Sequence, residues 1–561
     1  MARMADSNYS WLDSYPPNIQ WDSAIEERPL FTLLDEAAQK YPDALAINFL
    51  GKKISYRELG QQVDRMAAGL QSIGVGSGIR VGIFMPNCPQ FVISYYAILK
   101  AGGTVVNYSP LYSIPEVSRQ INDSKTEIMI TLALNLLYPK VAASLDKTCL
   151  KRIVVSELSE ALPFAKSIAF RCLRKKEIAS VPGDDRHIAF TALMKTGHVF
   201  SPVTVQPSTD IAVLQYTGGT TGVPKAAVLS HANLYANTVQ CGLWFTGLRH
   251  GQEMIVGALP LFHVFAMTTI MNLALHTGSA MLLYPKFEIR TILKGIHHKK
   301  PTLMPGVPTM FAAFNNYKDI GKYNLSSLKM CISGGGPLPH EVRLAFEERT
   351  GCKLIEGYGL SEASPVAAAN PLFGVNKKGS IGIPFPATVM RVLDMHGTGE
   401  MMPVNAIGEI CVRGPQVMQG YLNQPDESSN VLKEGFLHTG DLGYMDEDGY
   451  FFVVDRLKEM IICGGYKVYP RNIEEVLYQH PQILEAAVIG VPHPQRVQEP
   501  KAFIVLRAGE SLTDADIRNY LRDKISAYAM PRTVEFRDSL PKSAIGKVLK
   551  KLLVEEIPKI E

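Results

Sequence analysis

The residues best suited to chemistry lie between Thr217 and Lys225, in the run Thr217-Gly218-Gly219-Thr220-Thr221-Gly222-Val223-Pro224-Lys225. Glycines let a backbone turn sharply and aim N–H groups at an anion. The threonine hydroxyls add neutral donors, and Lys225 adds a point charge suited to phosphate. An apolar segment, Ile211–Leu214, precedes the run and predicts a strand feeding a phosphate-binding loop. The loop is not a Walker A loop, which needs glycine, four residues and then Gly-Lys-Ser/Thr. A Gly/Thr-rich surface loop is the plain alternative. A second glycine cluster, Gly334-Gly335-Gly336-Pro337, taken alone marks only a turn.

The first loop resembles the signature of the adenylate-forming, AMP-binding superfamily: acyl-CoA synthetases, aryl-CoA ligases, luciferases and peptide-synthetase adenylation domains. It departs from that signature at Gly218, where many members have serine, and at Ala226, where glycine is usual. The resemblance runs from about Phe31 to Leu553 and implies a set of roles. Gly334, Gly335 and Gly336 form the adenine-side loop. In Glu356-Gly357-Tyr358-Gly359-Leu360-Ser361-Glu362, Tyr358 packs the adenine and Glu362 holds Mg²⁺. Thr439-Gly440-Asp441 and Arg456 contact the ribose, and Lys458 sits at a hinge. Gly464, Gly465 and Lys467 face the site during thioester formation. Lys547, in Pro541-Lys542-Ser543-Ala544-Ile545-Gly546-Lys547, is the catalytic lysine. By composition alone, Lys458 and Lys547 are surface lysines and Gly464-Gly465 is a turn.

These roles imply ATP and Mg²⁺ as the activating pair and coenzyme A as acceptor. A carboxylate attacks the α-phosphate and pyrophosphate leaves; a thiol then displaces AMP. Two anions must meet, so positive charge is needed. Glu362, Lys547, Thr220 and Thr221 supply it or direct it, and Lys225 holds the outer phosphates. The small C-terminal domain rotates between the two steps.

The acid is read from Ala258–Phe265, which resembles an acyl-pocket segment. From Met254 to Tyr284 there is no Asp, Glu, Lys or Arg, which suits an apolar tunnel. Relatives that activate amino acids usually carry an aspartate near this place; here His263 stands without an acid. His263 is a pocket gate or a hydrogen-bonded core histidine, and Gly306-Val307-Pro308 is a second pocket segment. The pattern is similar to bacterial fatty-acid–CoA ligases, and a long-chain fatty acid is the expected substrate. Medium-chain or aryl acids, a carrier-protein acceptor and a luciferase-like oxygenase are the alternatives.

Such a site needs a scaffold. Leu59, Val63, Met66, Leu70 and Ile73 repeat at helical spacing and end at Gly74. Arg80–Met85, Phe91–Leu99 and Thr104–Asn107 then read strand, helix, strand, a βαβ unit; Ile128–Thr131, Ile153–Val155 and Leu328–Ser333 extend the pattern. Gly379–Gly443 reads as a small β subdomain, and the chain past Asp455 as a compact α+β unit. The fold class is therefore α/β. A large N-terminal domain, 1–455, combines parallel-sheet subdomains with a β subdomain, and a small mobile α+β domain, 456–561, follows it. The uncharged stretch predicts a buried helix and then a strand, Ala280–Tyr284, rather than a membrane span.

Composition is that of a globular protein: 561 residues, 46% hydrophobic, 20% charged, formal net charge +4. This balance argues against a nucleic-acid binder. Eight cysteines without a C-x-x-C pair predict free thiols in a reducing compartment. No apolar leader is visible, so a cytoplasmic enzyme is expected, a homodimer being one open assembly. A basic-apolar run, 164–176, predicts either a solvated helix or a peripheral contact with anionic membrane.

Overall fold

The computed structural model describes residues 9–217, 224–395, 398–493, 495–543 and 546–557. An eight-stranded sheet contains Arg80–Phe84, Thr104–Asn107 and Ile128–Leu132 as parallel neighbours, continued by Arg152–Ser156 and His187–Ala189 on one side. On the other side Ile211–Thr217 pairs parallel with Thr104–Asn107, and Lys225–Ser230 folds back antiparallel. A nine-stranded sheet is parallel from Leu45–Phe49 through Lys353–Gly359 and antiparallel at both edges.

The expected helices pack on these sheets. Tyr56–Ser72 starts at a capping box, in which Ser55 Oγ accepts the Glu58 N–H and Glu58 returns a carboxylate to the Ser55 N–H at 2.8 Å. Its buried face carries Leu59, Val63, Met66 and Leu70, the periodicity seen in sequence. Pro89–Lys100 is buried at every residue from Pro89 to Leu99. A helix apolar on all sides must lie inside the protein, and each large side chain such as Phe91 contributes about 1.5–3 kcal/mol by burial.

Met254–Tyr284 is richer than helix then strand. A strand, Met254–Gly257, comes first. Three buried helical turns follow, Val264–Ala266, the π-helical Met267–Asn272 and Leu273–Thr277, before the strand Ala280–Leu283. Sequence periodicity cannot separate a π-helix from an α-helix when every position is apolar or small. No helix among the described residues is long and apolar enough to cross a membrane.

Gly379–Gly443 does hold a β-rich unit. Val389–Leu393, Gly408–Arg413 and Phe436–Met445 form an antiparallel sheet, with Phe451–Arg456 on Phe436–Met445. The large hydrophobic core extends to Phe451, and a separate core begins at Ile461, around Ile473, Leu477, Ile504, Ile517 and Leu521. That second core lies under the sheet of Ile461–Cys463, Tyr466–Val468, Ile483–His493, Val497–Leu506 and Thr533–Phe536.

Candidate active site

Asp441 and Arg456 are direct cross-strand partners in the antiparallel sheet. Arg456 Nε meets Asp441 Oδ1 at 2.9 Å, and the Tyr358 hydroxyl donates to Asp441 Oδ2 at 2.6 Å. Asp441 is buried, so both carboxylate oxygens need these partners. The turn before it is braced from behind. Glu409 Oε1 accepts the Gly440 N–H at 2.9 Å, Glu409 Oε2 lies 2.7 Å from His438 Nδ1, and Thr439 Oγ1 donates to the Ile410 carbonyl at 2.7 Å. Gly440 has φ +72°, a left-handed conformation in which glycine is unstrained.

Lys547, near the far end of the chain, feels the charges of this cluster. Its ammonium feels Arg456 first, then desolvation, with Asp441 and Glu459 acting the other way, and the result holds it down at about 8. The side chain still touches solvent, so the Arg456 charge is the cause that weighs most. Gly546 delivers it: a side chain there would meet Thr309 Oγ1 at 2.7 Å, so this loop lies hard against the large domain. Nearby contacts brace the small domain internally and, through Asp455, tie it to the large one. Lys550 bridges Glu459 at 3.1 Å and Glu474 at 2.9 Å. Asp455 accepts the N–H of Arg456 at 2.7 Å and of Arg471 at 2.9 Å; burial pushes its carboxyl up to about 6.

A second group forms where Thr217, ending one strand, lies opposite Lys225, which begins the next. The loop thus returns as a strand, and a helix starts only at His231, unlike the strand–loop–helix of a Walker site. Lys225 Nζ pairs with Glu427 Oε2 at 2.5 Å and lies 5.2 Å from the centre of the Tyr421 ring. The Tyr421 hydroxyl donates to Glu362 Oε1 at 2.8 Å. One oriented carboxylate of this kind fits Mg²⁺, which takes one or two protein carboxylates and completes its shell with phosphate and water oxygens. Gly218, Gly219, Thr220, Thr221 and Gly222 lie outside the described residues.

The glycines at 334–336 divide in use. A side chain at Gly334 would meet the Phe265 ring at 2.9 Å, Gly335 has φ +78°, and Gly336 faces open space. The Gly334 N–H bonds to the Gly306 carbonyl at 3.1 Å, joining two segments singled out in sequence. Gly306 itself leaves room for Phe311. His263 caps the turn Val264–Ala266 by accepting the Phe265 N–H at 3.3 Å. Burial, and then Lys547, hold its ring down at about 4, so it is neutral at pH 7.

Other expected site residues stand apart. Gly464 and Gly465, at φ +58° and +87°, make the two-residue turn between Ile461–Cys463 and Tyr466–Val468, which is reason enough for glycine. Lys467 is exposed and its Nζ lies 3.3 Å from Met395 Sδ. Lys458 is exposed in the turn after Arg456. Glu356 is buried; it accepts the Leu338 N–H and faces Arg471 of the small domain, and burial raises its carboxyl to about 7. Gly357 and Gly359 flank Tyr358 in the strand, and a side chain at Gly359 would collide with the Pro365 carbonyl at 2.2 Å. Sequence reasoning missed Tyr421, Glu427 and Glu409. Each looks like an ordinary sheet or surface residue until the fold brings it to Glu362, Lys225 or Gly440.

The AMP-binding enzyme family profile matches residues 34–422, and the profile of the AMP-binding enzyme C-terminal domain matches 472–547. The long-chain-fatty-acid–CoA ligase of Bacillus subtilis (strain 168) is 42% identical over 98% of each chain. That of Escherichia coli O6:H1 is 35% identical over 97% of this chain and 98% of its own. Among solved structures, ATP-bound MatB from Rhodopseudomonas palustris superposes with a TM-score of 0.81 at 28% identity, over 94% of this chain and 98% of that one. With the first profile matched over more than half of its length and the second over its C-terminal part, the chain belongs to the AMP-binding enzyme family.

Proposed function

We propose that this enzyme joins a long-chain fatty acid to AMP at the expense of ATP and passes the acyl group to coenzyme A. The observation that carries the reading is the Tyr358–Asp441–Arg456 cluster, whose charges act on Lys547 of the small domain. Two curated ligases of this activity, alike over nearly their whole length, support the choice of acid and acceptor. So does the wholly buried, uncharged segment from Val264 to Leu275.

In this reading Asp441 and Arg456 hold the ribose, and Tyr358 fixes the Asp441 carboxylate while its ring meets the adenine. Glu362, aimed by Tyr421, holds Mg²⁺, which would neutralise phosphate charge. Lys225 and the Thr217–Gly222 loop take the outer phosphates. Lys547 approaches where negative charge accumulates as carboxylate and α-phosphate join, and a preorganised cation there lowers the barrier. Neutral His263 lines the acyl side without attracting a second anion. Thioester formation then requires Lys547 to withdraw and the Gly464–Lys467 face to enter, with the chain pivoting near Lys458; the boundary at 455 and 456 belongs to this proposal. The enzyme works in the cytoplasm and collects insoluble acids by peripheral contact of 164–176 with membrane.

The test is pyrophosphate release with ATP, Mg²⁺ and a panel of acids, with and without coenzyme A. Palmitate or oleate should give strong release, with acyl-CoA only when coenzyme A is present. Release with aryl or short acids alone would overturn the choice of acid, and no release with any acid would overturn the reading.

A further inference from the structure

Glu427 belongs to none of the roles above, yet it holds the lysine on which phosphate binding is expected to depend. It sits in the first turn of the short helix Pro425–Val431. That helix follows the strand Gly420–Tyr421, which pairs with Lys225–Ser230. The chain path thus brings a carboxylate to Lys225 from 202 residues away, at 2.5 Å. Among the described residues no other carboxylate lies within ion-pairing distance of Lys225. The Lys225 side chain is 15% exposed and that of Glu427 is 46% exposed, so the acid can move into water while the lysine stays. Lys225, first by its hydrogen bond and then by its charge, holds Glu427 below the usual carboxylate range, and Lys458 adds to this.

An ammonium engaged by a carboxylate at this distance is not free for a phosphate oxygen. A polyphosphate brought to Lys225 also meets the negative charge of Glu427 at close range. Each bond that Lys225 makes to phosphate is therefore made against a competing ion pair, and each departure of pyrophosphate is met by that pair re-forming. Lys458, whose charge also acts on Glu427, gives it a counter-charge when Lys225 turns away.

We propose that Glu427 is a positioning residue that competes with the outer phosphates for Lys225, weakening the hold on pyrophosphate and so promoting its release after adenylate formation. The proposal rests on the reading of Lys225 as a phosphate ligand. It predicts a penalty specific to ligands with β- or γ-phosphates, because in that reading Lys225 holds only the outer phosphates, which AMP lacks.

The experiment measures Mg²⁺-pyrophosphate and AMP binding by calorimetry on the full chain, and pyrophosphate inhibition of adenylate formation. The proteins are wild type, Glu427→Gln, Glu427→Asp, Lys225→Ala and the double variant. Partly exposed ion pairs are weak, so Glu427→Gln should tighten pyrophosphate by about two- to five-fold. AMP affinity should be unchanged, Glu427→Asp should lie nearer wild type, and the double variant should match Lys225→Ala. If Lys225→Ala weakens pyrophosphate but Glu427→Gln leaves it unchanged or weaker, the competition does not exist and only the role of Glu427 falls. If Lys225→Ala has no effect on pyrophosphate, the phosphate role of Lys225 falls and this inference with it. Unchanged AMP affinity in Glu427→Gln also separates the effect from a damaged fold, which would weaken both ligands.

Discussion

Tyr358 and Asp441 lie 83 residues apart in the chain and are joined by one hydrogen bond of 2.6 Å. The tyrosine comes from the last parallel strand of a mostly parallel sheet and the aspartate from an antiparallel one. The bond therefore ties the proposed adenine platform to the proposed ribose acceptor.

Tyr358→Phe keeps the ring and removes only this donor. A hydrogen bond to a charged group contributes about 1.5–3 kcal/mol. Arg456 would remain on Oδ1 and leave Oδ2 of a buried carboxylate unpaired. The KM for ATP should rise by about ten-fold or more, with the KM for fatty acid unchanged. Steady-state kinetics with each substrate varied will check this; an unaltered KM for ATP would detach Tyr358 from nucleotide binding.

Lys547 offers a pH signature. Its ammonium is held down at about 8, chiefly by Arg456. The protonated form is the useful one, so kcat/KM for ATP should fall as pH rises through about 8, and Arg456→Gln should move that limb upward. Removing one preorganised charge commonly costs about 10²–10³-fold in rate. Lys547→Ala should lose that much in adenylate formation yet keep thioester formation from supplied acyl-adenylate within a few-fold. Equal loss in both half-reactions would refute the division of labour between the steps.

Much of this arrangement could be read from the chain. The helix Tyr56–Ser72 was visible because its apolar residues keep a helical period and Gly74 ends it. The βαβ order was visible because Arg80–Phe84 and Thr104–Asn107 flank an apolar helix. The π-helical Met267–Asn272 was not, since its uniformly buried residues carry no period to measure. Within the site, motif residues such as Asp441 and Lys547 stood out by local pattern. Tyr421 and Glu427 did not, because their meaning comes from contacts with Glu362 and Lys225 made 59 and 202 residues away. Gly464 and Gly465 show the converse: a motif-like pair whose φ values a hairpin turn already explains.

Glu356, buried in the large domain and within the field of Arg471 of the small one, should make stability depend on pH. Burial raises its carboxyl from 4.5 to about 7, opposed by Arg471. A folded state with the raised value binds more protons than the unfolded chain between those limits, so stability falls as pH rises through that window. Above it the buried charge costs on the order of 3 kcal/mol. Glu356→Gln should match wild type near pH 4 and melt higher at pH 8. Thermal denaturation at both values decides; a less stable variant at pH 8 would mean that the Arg471 contact outweighs burial.

The helix Phe164–Leu173 has no buried residue, and Phe164, Ile168 and Leu173 are 83%, 49% and 82% exposed. Leu136, 80% exposed, is tethered alongside by Asn135, whose Nδ2 donates to the Lys176 carbonyl at 2.7 Å. Apolar side chains standing in water beside Arg174, Lys175 and Lys176 make an unusual surface for a solvated helix and a fitting one for anionic lipid. Each basic residue near such a surface contributes about 1 kcal/mol, so reversing all three charges should abolish flotation with phosphatidylserine-containing vesicles. Raised salt should weaken wild-type flotation in the same direction. Phe164→Ser should weaken it while preserving charge, and pyrophosphate release with a water-soluble acid should stay at the wild-type rate in every variant. Flotation that survives charge reversal would leave this helix an ordinary solvated one and remove the membrane from the account of how the acid is collected.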